Sequence, residues 1–256
     1  MKHAICILTV LSAILGGCAG HHALVEPKAD LLRAGVVNDP KQVSRLERAM
    51  TDRDIGNLLD VNVRAKLPTS LAIAKLRSHC SGYQPYLEKI DAVELGAWEK
   101  AVEDQALIRG VQPVSALSHA SEKPTLHSLR VAAARTGCEL LLVYLQSDST
   151  VSNLNDAAVL YWTILGLWTV PGSVLEHKTV MQAILVDSRT GAILGTATGD
   201  AHTKRAYPAA FEDQRRAALA KAVPAAALAD LGTGCRRLVK QVVETAVAKR
   251  PGKAGA

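Results

Sequence analysis

Cysteines and histidines at three places in the sequence have the types and spacing that could do chemistry. Gly16-Gly17-Cys18 puts a nucleophilic sulfur behind two small residues that leave the backbone accessible to an enzyme. His79-Cys80 puts an imidazole beside a thiol, a pairing that can activate a thiolate. His21-His22 puts two metal ligands side by side. The sequence around each pair decides which of these chemistries applies.

The segment before Cys18 has the composition of a secretory signal. A positive start at Lys2 precedes a run over residues 4–17 that is almost wholly apolar. This run is too short to cross a bilayer, which needs roughly 20 apolar residues, and its length is typical of a signal peptide. We therefore predict that residues 1–17 are a signal peptide and that the mature chain begins at Cys18.

The end of this segment, Leu15-Gly16-Gly17-Cys18, resembles the lipobox of bacterial lipoproteins. In that family the thiol takes a diacylglyceryl group, the signal is cut before the cysteine, and the new amine is acylated. The resemblance implies that Cys18 is the lipid-attachment site and that membrane lipid is a partner. The next residue is Ala19, not the aspartate that favours inner-membrane retention in these lipoproteins. The resemblance thus implies a Gram-negative outer membrane, with the protein facing the periplasm.

The length and the charge of the chain limit the kinds of partner that we expect. The predicted mature chain has 239 residues, enough for one substantial core and at most two domains. Its 29 basic and 24 acidic residues are spread along the chain, and no basic block is interleaved with aromatic residues. We therefore predict no nucleic-acid partner.

Three cysteines remain in the mature chain after Cys18: Cys80, Cys138 and Cys235. Cys80 follows one predicted strand and Cys138 precedes another. If these strands are parallel, the two sulfurs lie at opposite ends of the sheet, much farther apart than a disulfide tolerates. We disfavour that bridge and expect buried free thiols, while the pairing of the three cysteines stays open.

The other reactive pairs lack the context that catalysis or metal binding requires. Adjacent residues in a strand point to opposite faces, so we interpret His79 as exposed and Cys80 as buried. His21-His22 falls on a predicted tether without supporting ligands. The sequence also has no nucleophile elbow, zinc-protease helix or phosphate-binding loop. We predict no enzyme activity, catalytic residue, cofactor or metal; a thiol-dependent enzyme using the His79-Cys80 pair is a further alternative.

The rest of the chain predicts an α/β fold. We interpret residues 18–38 as a flexible tether, 39–250 as one periplasmic α/β domain and 251–256 as a disordered tail. Strands and helices alternate in the first half, which predicts parallel strands and a single three-layer domain. The predicted strands are 69–77, 111–117 and 139–146, and the predicted helices run from Asp91 to Gly110 and from Thr125 to Gly137.

The second half predicts a different pairing. Ser188-Arg189-Thr190-Gly191 is typical of a hairpin turn, so residues 177–187 and 192–201 should add antiparallel strands to a mixed sheet. Asp187 and Arg189 flank this turn and could form a local ion pair. Helices should follow from Pro208, broken near Pro224, with an apolar stripe that buries Cys235.

The sequence pattern leaves the role of residues 157–172 open. Their β-branched and aromatic content favours a buried strand, or a strand pair bent at Gly166. The alternative is an exposed apolar element that contacts a membrane or a partner subunit. In that case Tyr161, Trp162 and Trp168 would form the interaction surface.

The same segment carries a second resemblance. "LYWTILGLWTVPG" (160–172), followed by "VMQAILVDSRTGAIL" (180–194), is similar to the rhombotail lipoproteins, whose known properties imply a location but no biochemical activity. The order of strands and helices is also similar to the periplasmic α/β domains of curli-type secretion lipoproteins. We therefore expect a lipid-anchored, non-enzymatic binding or assembly component of the cell envelope. The alternative is a subunit of an oligomeric secretion or pore assembly that inserts or packs through 157–172.

Overall fold

The described residues form six strands, five of which overlap the runs that the sequence predicts as strands. A computed structural model describes residues 31, 36, 65–78, 85–114 and 124–248. The strands are β1 (Thr69–Ser78), β2 (Tyr86–Glu88), β3 (Ile108–Pro113), β4 (Leu140–Leu154), β5 (Ser173–Asp187) and β6 (Ile193–Tyr207). Residues 18, 79–80 and 251–256 lie outside the described parts, as do both predicted domain boundaries, so the interpretations placed on them stay predictions.

The sheet is mixed, with the strand order β2-β1-β4-β5-β6, and β3 pairs with β1 as well. β1 runs parallel to β3 and β4 and antiparallel to β2. The five-residue connection from β5 to β6 makes these two neighbours an antiparallel hairpin. The parallel start and the added hairpin are both confirmed.

Helices α1 (Ala92–Val102) and α2 (Leu126–Arg135) have the predicted amino ends. The Asp91 carboxylate accepts the Glu94 N–H at 2.8 Å, and Thr125 and Ser128 form a reciprocal capping box. Gly137 ends α2 with a φ of 74°, as expected for a left-handed stop. The prediction that the first helix reaches Gly110 is wrong, because residues 108–113 pair with β1 as a strand.

The sheet separates two hydrophobic cores, and the strands contribute alternate residues to each. On one face, Leu142 of β4 packs in a cluster with Trp98 of α1. On the other face, Leu141 belongs to a cluster with Leu129 of α2. This alternation explains why the β4 run is apolar without interruption, and it confirms the three-layer α/β architecture.

The long helix α4 (Glu212–Ala248) is continuous and contains Pro224, so the predicted break there is wrong. Proline removes one helical hydrogen bond, but the residues after it bury an apolar stripe whose packing holds the helix together. The stripe is Ala227, Leu231, Cys235, Val239 and Val242. A Cβ at Gly199 of β6 would lie 2.5 Å from the Ala227 carbonyl oxygen, so only glycine allows this close approach.

The described residues divide into two compact units. The small unit comprises Ser149–Lys178 and His202–Val223. The large unit comprises Thr179–Ala201 with the described residues up to Asp148 and from Pro224 onward, and it contains both cores. No helix among the described residues has the length and apolar character that crossing a bilayer requires.

Candidate functional site

Residues 157–172 form two short helices in the small unit, so the predicted buried strand is wrong. A 3-10 helix covers Asp156–Trp162, and α3 covers Ile164–Thr169. The Asn155 side chain accepts the Ala157 N–H at 3.0 Å, and the Thr163 hydroxyl accepts the Gly166 N–H at 3.0 Å. These polar caps start helical turns, and their effect outweighs the strand preference of the apolar residues between them.

The two helices fold tightly against each other and expose large apolar side chains. A Cβ at Gly166 would lie 1.9 Å from the Leu160 carbonyl oxygen, so the contact requires glycine. The exposed side chains include Trp162 (84% exposed), Ile164 (79%), Leu165 (77%) and Trp168 (57%). We call residues 156–170 the apolar cap. Clustered apolar exposure of this kind marks an interaction surface.

Tyr161, the third predicted surface residue, anchors the cap to the rest of the small unit. Its hydroxyl lies 3.2 Å from the Tyr207 carbonyl oxygen and 3.4 Å from the Ser173 Oγ, and both oxygens can accept its proton. The structure therefore exposes Trp162 and Trp168 together but gives Tyr161 a positioning role.

Phe211 extends the apolar surface, and the sequence pattern did not predict this. Its ring packs edge-on against Trp168, with the ring centroids 5.7 Å apart. Arg215, one helical turn later, lies over the Tyr207 ring at 5.3 Å from the centroid. The only hint in the sequence was that Phe211 is the single phenylalanine of the chain.

A buried polar cluster in the large unit is the second candidate site. The Tyr144 hydroxyl donates to Glu94 at 2.7 Å, and the Lys75 ammonium contacts Glu94 at 2.9 Å and Glu88 at 3.2 Å. Arg77 contacts Glu88 and Asp148 at 2.9 Å each. Burial and the neighbouring Glu94 raise the pKa of Tyr144, so the phenol stays protonated and cannot act as a base near neutral pH. The hydrogen-bonded arrangement suits a structural role.

The thiols that the structure describes are unreactive. Cys138 and Cys235 are buried and free, as predicted. Burial raises the pKa of Cys235 to about 12 and also raises that of Cys138, which disfavours the reactive thiolates. Among the described residues, no group of three histidine, cysteine or carboxylate side chains could hold a metal ion. Cys18, Cys80 and the histidines at 21, 22 and 79 lie outside those residues.

Asp187 and Arg189, the charged residues at the hairpin turn, make contacts that the sequence did not predict. Arg189 forms its ion pair with Glu139. Asp187 is fully buried and accepts N–H groups from Ala65 at 3.0 Å and from Arg189 at 2.8 Å. The Arg189 guanidinium lowers the pKa of Glu139. Glu139 and, more weakly, Asp187 raise the pKa of Arg189, so the ion pair joins two distant parts of the sequence while a local attraction to Asp187 remains.

A depression of about 440 Å³ in the large unit is lined by residues 104–107 and by one face of α4. Arg236 is one of its three lining cations, and its guanidinium donates to the carbonyl oxygens of Lys100 and Ala101 at 3.2 Å each. These contacts satisfy the carboxyl end of α1. Arg236 thus has a structural role in this depression.

No family model matches the sequence, and no curated protein matches it. Several solved structures, including the following three, resemble the chain over part of its length. The LpoB C-terminal domain from Salmonella enterica is 12% identical, with 57% of this chain and 90% of that domain covered and a TM-score of 0.30. Lipoprotein GNA1162 from Neisseria meningitidis is 13% identical (60% and 97% covered, TM-score 0.32), and a PelC dodecamer from Paraburkholderia phytofirmans is 14% identical (67% and 94% covered, TM-score 0.29). These values establish neither a shared family nor a shared function.

Proposed function

We propose that the mature chain is a lipoprotein of the bacterial cell envelope, anchored in the outer membrane through acylated Cys18 and facing the periplasm. Its role is to bind or assemble with other envelope components without catalysing a reaction. The Leu15-Gly16-Gly17-Cys18 motif at the end of an apolar signal supports the anchor, and Ala19 supports the outer membrane. The observation that carries the binding role is the exposure of Trp162, Ile164, Leu165 and Trp168.

The described residues support a binding role over an enzymatic one. The raised pKa values of Cys138 and Cys235 disfavour nucleophilic thiolates. The Tyr144 hydroxyl is engaged by Glu94, and burial raises its pKa, which makes it a poor acid or base. The apolar cap, by contrast, offers contact area without a reactive group.

A second candidate function is a subunit of an oligomeric secretion or pore assembly whose cap packs between copies. The exposed tryptophans of the cap favour it, since buried aromatic residues anchor many protein interfaces. A discrete oligomer of defined size, independent of protein concentration in detergent, would support this function. A stable monomer would argue against it.

The anchor is tested by labelling cells with radioactive palmitate. Wild-type protein should incorporate the label and fractionate with outer membranes, whereas Cys18→Ser should lose the label and keep an uncleaved signal. Cys6→Ser is the matched control, because this cysteine lies inside the same apolar run and should not be acylated. Ala19→Asp should move the labelled protein to the inner membrane. An unlabelled wild-type chain, or a labelled Cys18→Ser chain, would contradict the proposal.

A further inference from the structure

We infer that the apolar cap inserts into the lipid bilayer that holds the acyl anchor, so that the protein contacts the membrane at two places. This inference rests on the proposed function, which supplies that bilayer. It assigns lipid, and not a second copy of the chain, as the partner that contacts the cap. Four features of the small unit and its tether support the choice.

Apart from Asp156 at its first position, the cap contains no charged residue. From residue 157 to residue 175 the sequence contains no Asp, Glu, Lys or Arg, a stretch of nineteen residues. Trp162 and Ile164 are each more than three-quarters exposed within it. An apolar face without charge suits hydrocarbon. Protein interfaces usually surround such a face with a polar rim.

The hydroxyl groups of the cap are satisfied internally, which is the requirement that hydrocarbon imposes on polar groups. Thr163 donates to the Leu160 carbonyl oxygen at 2.8 Å, and Thr169 donates to the Leu165 carbonyl oxygen at 2.8 Å. Tyr161 is bonded at the base of the cap. A protein interface carries about one hydrogen bond per 100–200 Å² and would use such hydroxyls. Here they are already engaged within the small unit.

Backbone N–H groups of the cap and of the residues just after it also donate hydrogen bonds to nearby carbonyl oxygens. The Thr163 N–H donates to Leu160 at 3.1 Å, and the Val170 N–H donates to Gly166 at 3.0 Å. The Gly172 N–H then donates to Val170 at 2.9 Å. The apolar face of a helix that lies in the membrane interface is buried to a depth of roughly 5–10 Å, and tryptophan prefers that interface.

The polar surroundings and the tether suit a membrane as well. Six Lys or Arg and four Asp or Glu residues occur in Ser149–Lys178 and His202–Val223, an excess that anionic headgroups attract. Leu31 lies thirteen positions after Cys18, and it is buried and its N–H donates to the Gln182 side chain at 2.9 Å. Fully extended, that length reaches roughly 45 Å. An acylated Cys18 therefore gives the protein a high effective concentration of lipid.

The test uses the mature chain, residues 18–256, carrying Cys18→Ser so that no lipid is attached. It is mixed with vesicles of phosphatidylethanolamine and phosphatidylglycerol that contain brominated acyl chains, which quench tryptophan at close range. Trp98→Phe leaves only the two cap tryptophans, and we expect their emission to fall on binding. The double variant Trp162→Phe/Trp168→Phe leaves only Trp98, which is 1% exposed and should not be quenched.

A second pair of variants separates the cap from exposed apolar residues in general. Ile164→Ser combined with Leu165→Ser should weaken vesicle binding at least about tenfold, because two large apolar contacts with lipid are lost. Val93→Ser is the matched control, since Val93 is 85% exposed on α1 and should leave binding unchanged. Unquenched cap tryptophans, or an oligomer without lipid that shields them, would overturn the inference.

The anchor at Cys18 and the insertion of the cap can each be contradicted without contradicting the other. Absent palmitate labelling with intact quenching would overturn the anchor at Cys18 while supporting insertion of the cap into lipid. Intact labelling with absent quenching would overturn the cap insertion and leave the anchor supported.

Discussion

Two apolar segments of this chain have similar composition, but one is buried and the other is exposed. Leu140–Leu145 in β4 are all buried, whereas Trp162, Ile164 and Leu165 of the cap are among the most exposed large apolar side chains described. β4 lies between β1 and β5, and helices cover both faces of its apolar half. The cap begins with polar side chains that start helices, and it bonds its own polar groups. Apolar composition alone therefore does not determine burial; the availability of sheet neighbours does.

The largest expected contrast is between truncations in the two segments. Leu142→Ala should lower the free energy of unfolding by about 2–5 kcal/mol, because it opens a cavity in a packed core. Leu165→Ala should change it by no more than about 0.5 kcal/mol, because that side chain packs against little. Urea unfolding followed by circular dichroism measures both. Equal losses would show that the cap is covered in solution.

A smaller effect is expected from the tight turn inside the cap. Gly166→Ala should lower the free energy of unfolding by about 1–3 kcal/mol, because the added carbon would meet the Leu160 carbonyl oxygen. In a Trp98→Phe background, urea-dependent emission of the two cap tryptophans reports this loss directly. Gly96→Ala in α1 is the control, since its added carbon meets nothing within 4 Å and alanine favours a helix. A neutral Gly166→Ala would contradict the observed packing of the two helices.

The smallest effects concern one ion pair in each unit. Arg189 lowers the pKa of Glu139, and His202, helped by Lys204, lowers that of Glu176. A carboxylate whose folded pKa is lowered stabilises the fold above its unfolded pKa of about 4.3, and this stability is lost as the pH falls through the folded pKa.

Arg189→Gln and His202→Gln should each reduce the acid sensitivity of unfolding, measured by thermal melts between about pH 2 and 6. The change should be small and weaker in high salt, because the Arg189 and His202 side chains are both exposed. Arg109→Gln, at an exposed position of β3, should leave the pH profile unchanged. An equal change in that control would remove the assignment to the two ion pairs.

The sequence was sufficient for elements whose signals are local. The capping residues Thr125 and Ser128, the stop at Gly137 and the turn before Gly191 fix their elements without help from distant residues. The uninterrupted apolar run of β4 likewise predicts burial on both faces.

The sequence predictions were wrong where contacts between residues far apart in the sequence determine the structure. The end of α1 depends on the pairing of Ile108–Pro113 with β1. The continuity of α4 through Pro224 depends on the packing of the stripe after it. The partner of Arg189 is Glu139, fifty positions away, and no sequence spacing indicates that contact. In the cap, the decisive groups were Asn155 and Thr163, polar residues that an analysis of apolar periodicity overlooks.

The positions of the two buried thiols provide a means of observing the opening of each core. Cys138 belongs to the cluster that packs on α2, and Cys235 belongs to the cluster that packs on α4. A maleimide can react with either sulfur only while the surrounding layer is open. The rates of modification at the two sites therefore report the opening frequency of one face of the sheet independently of the other, without an introduced cysteine.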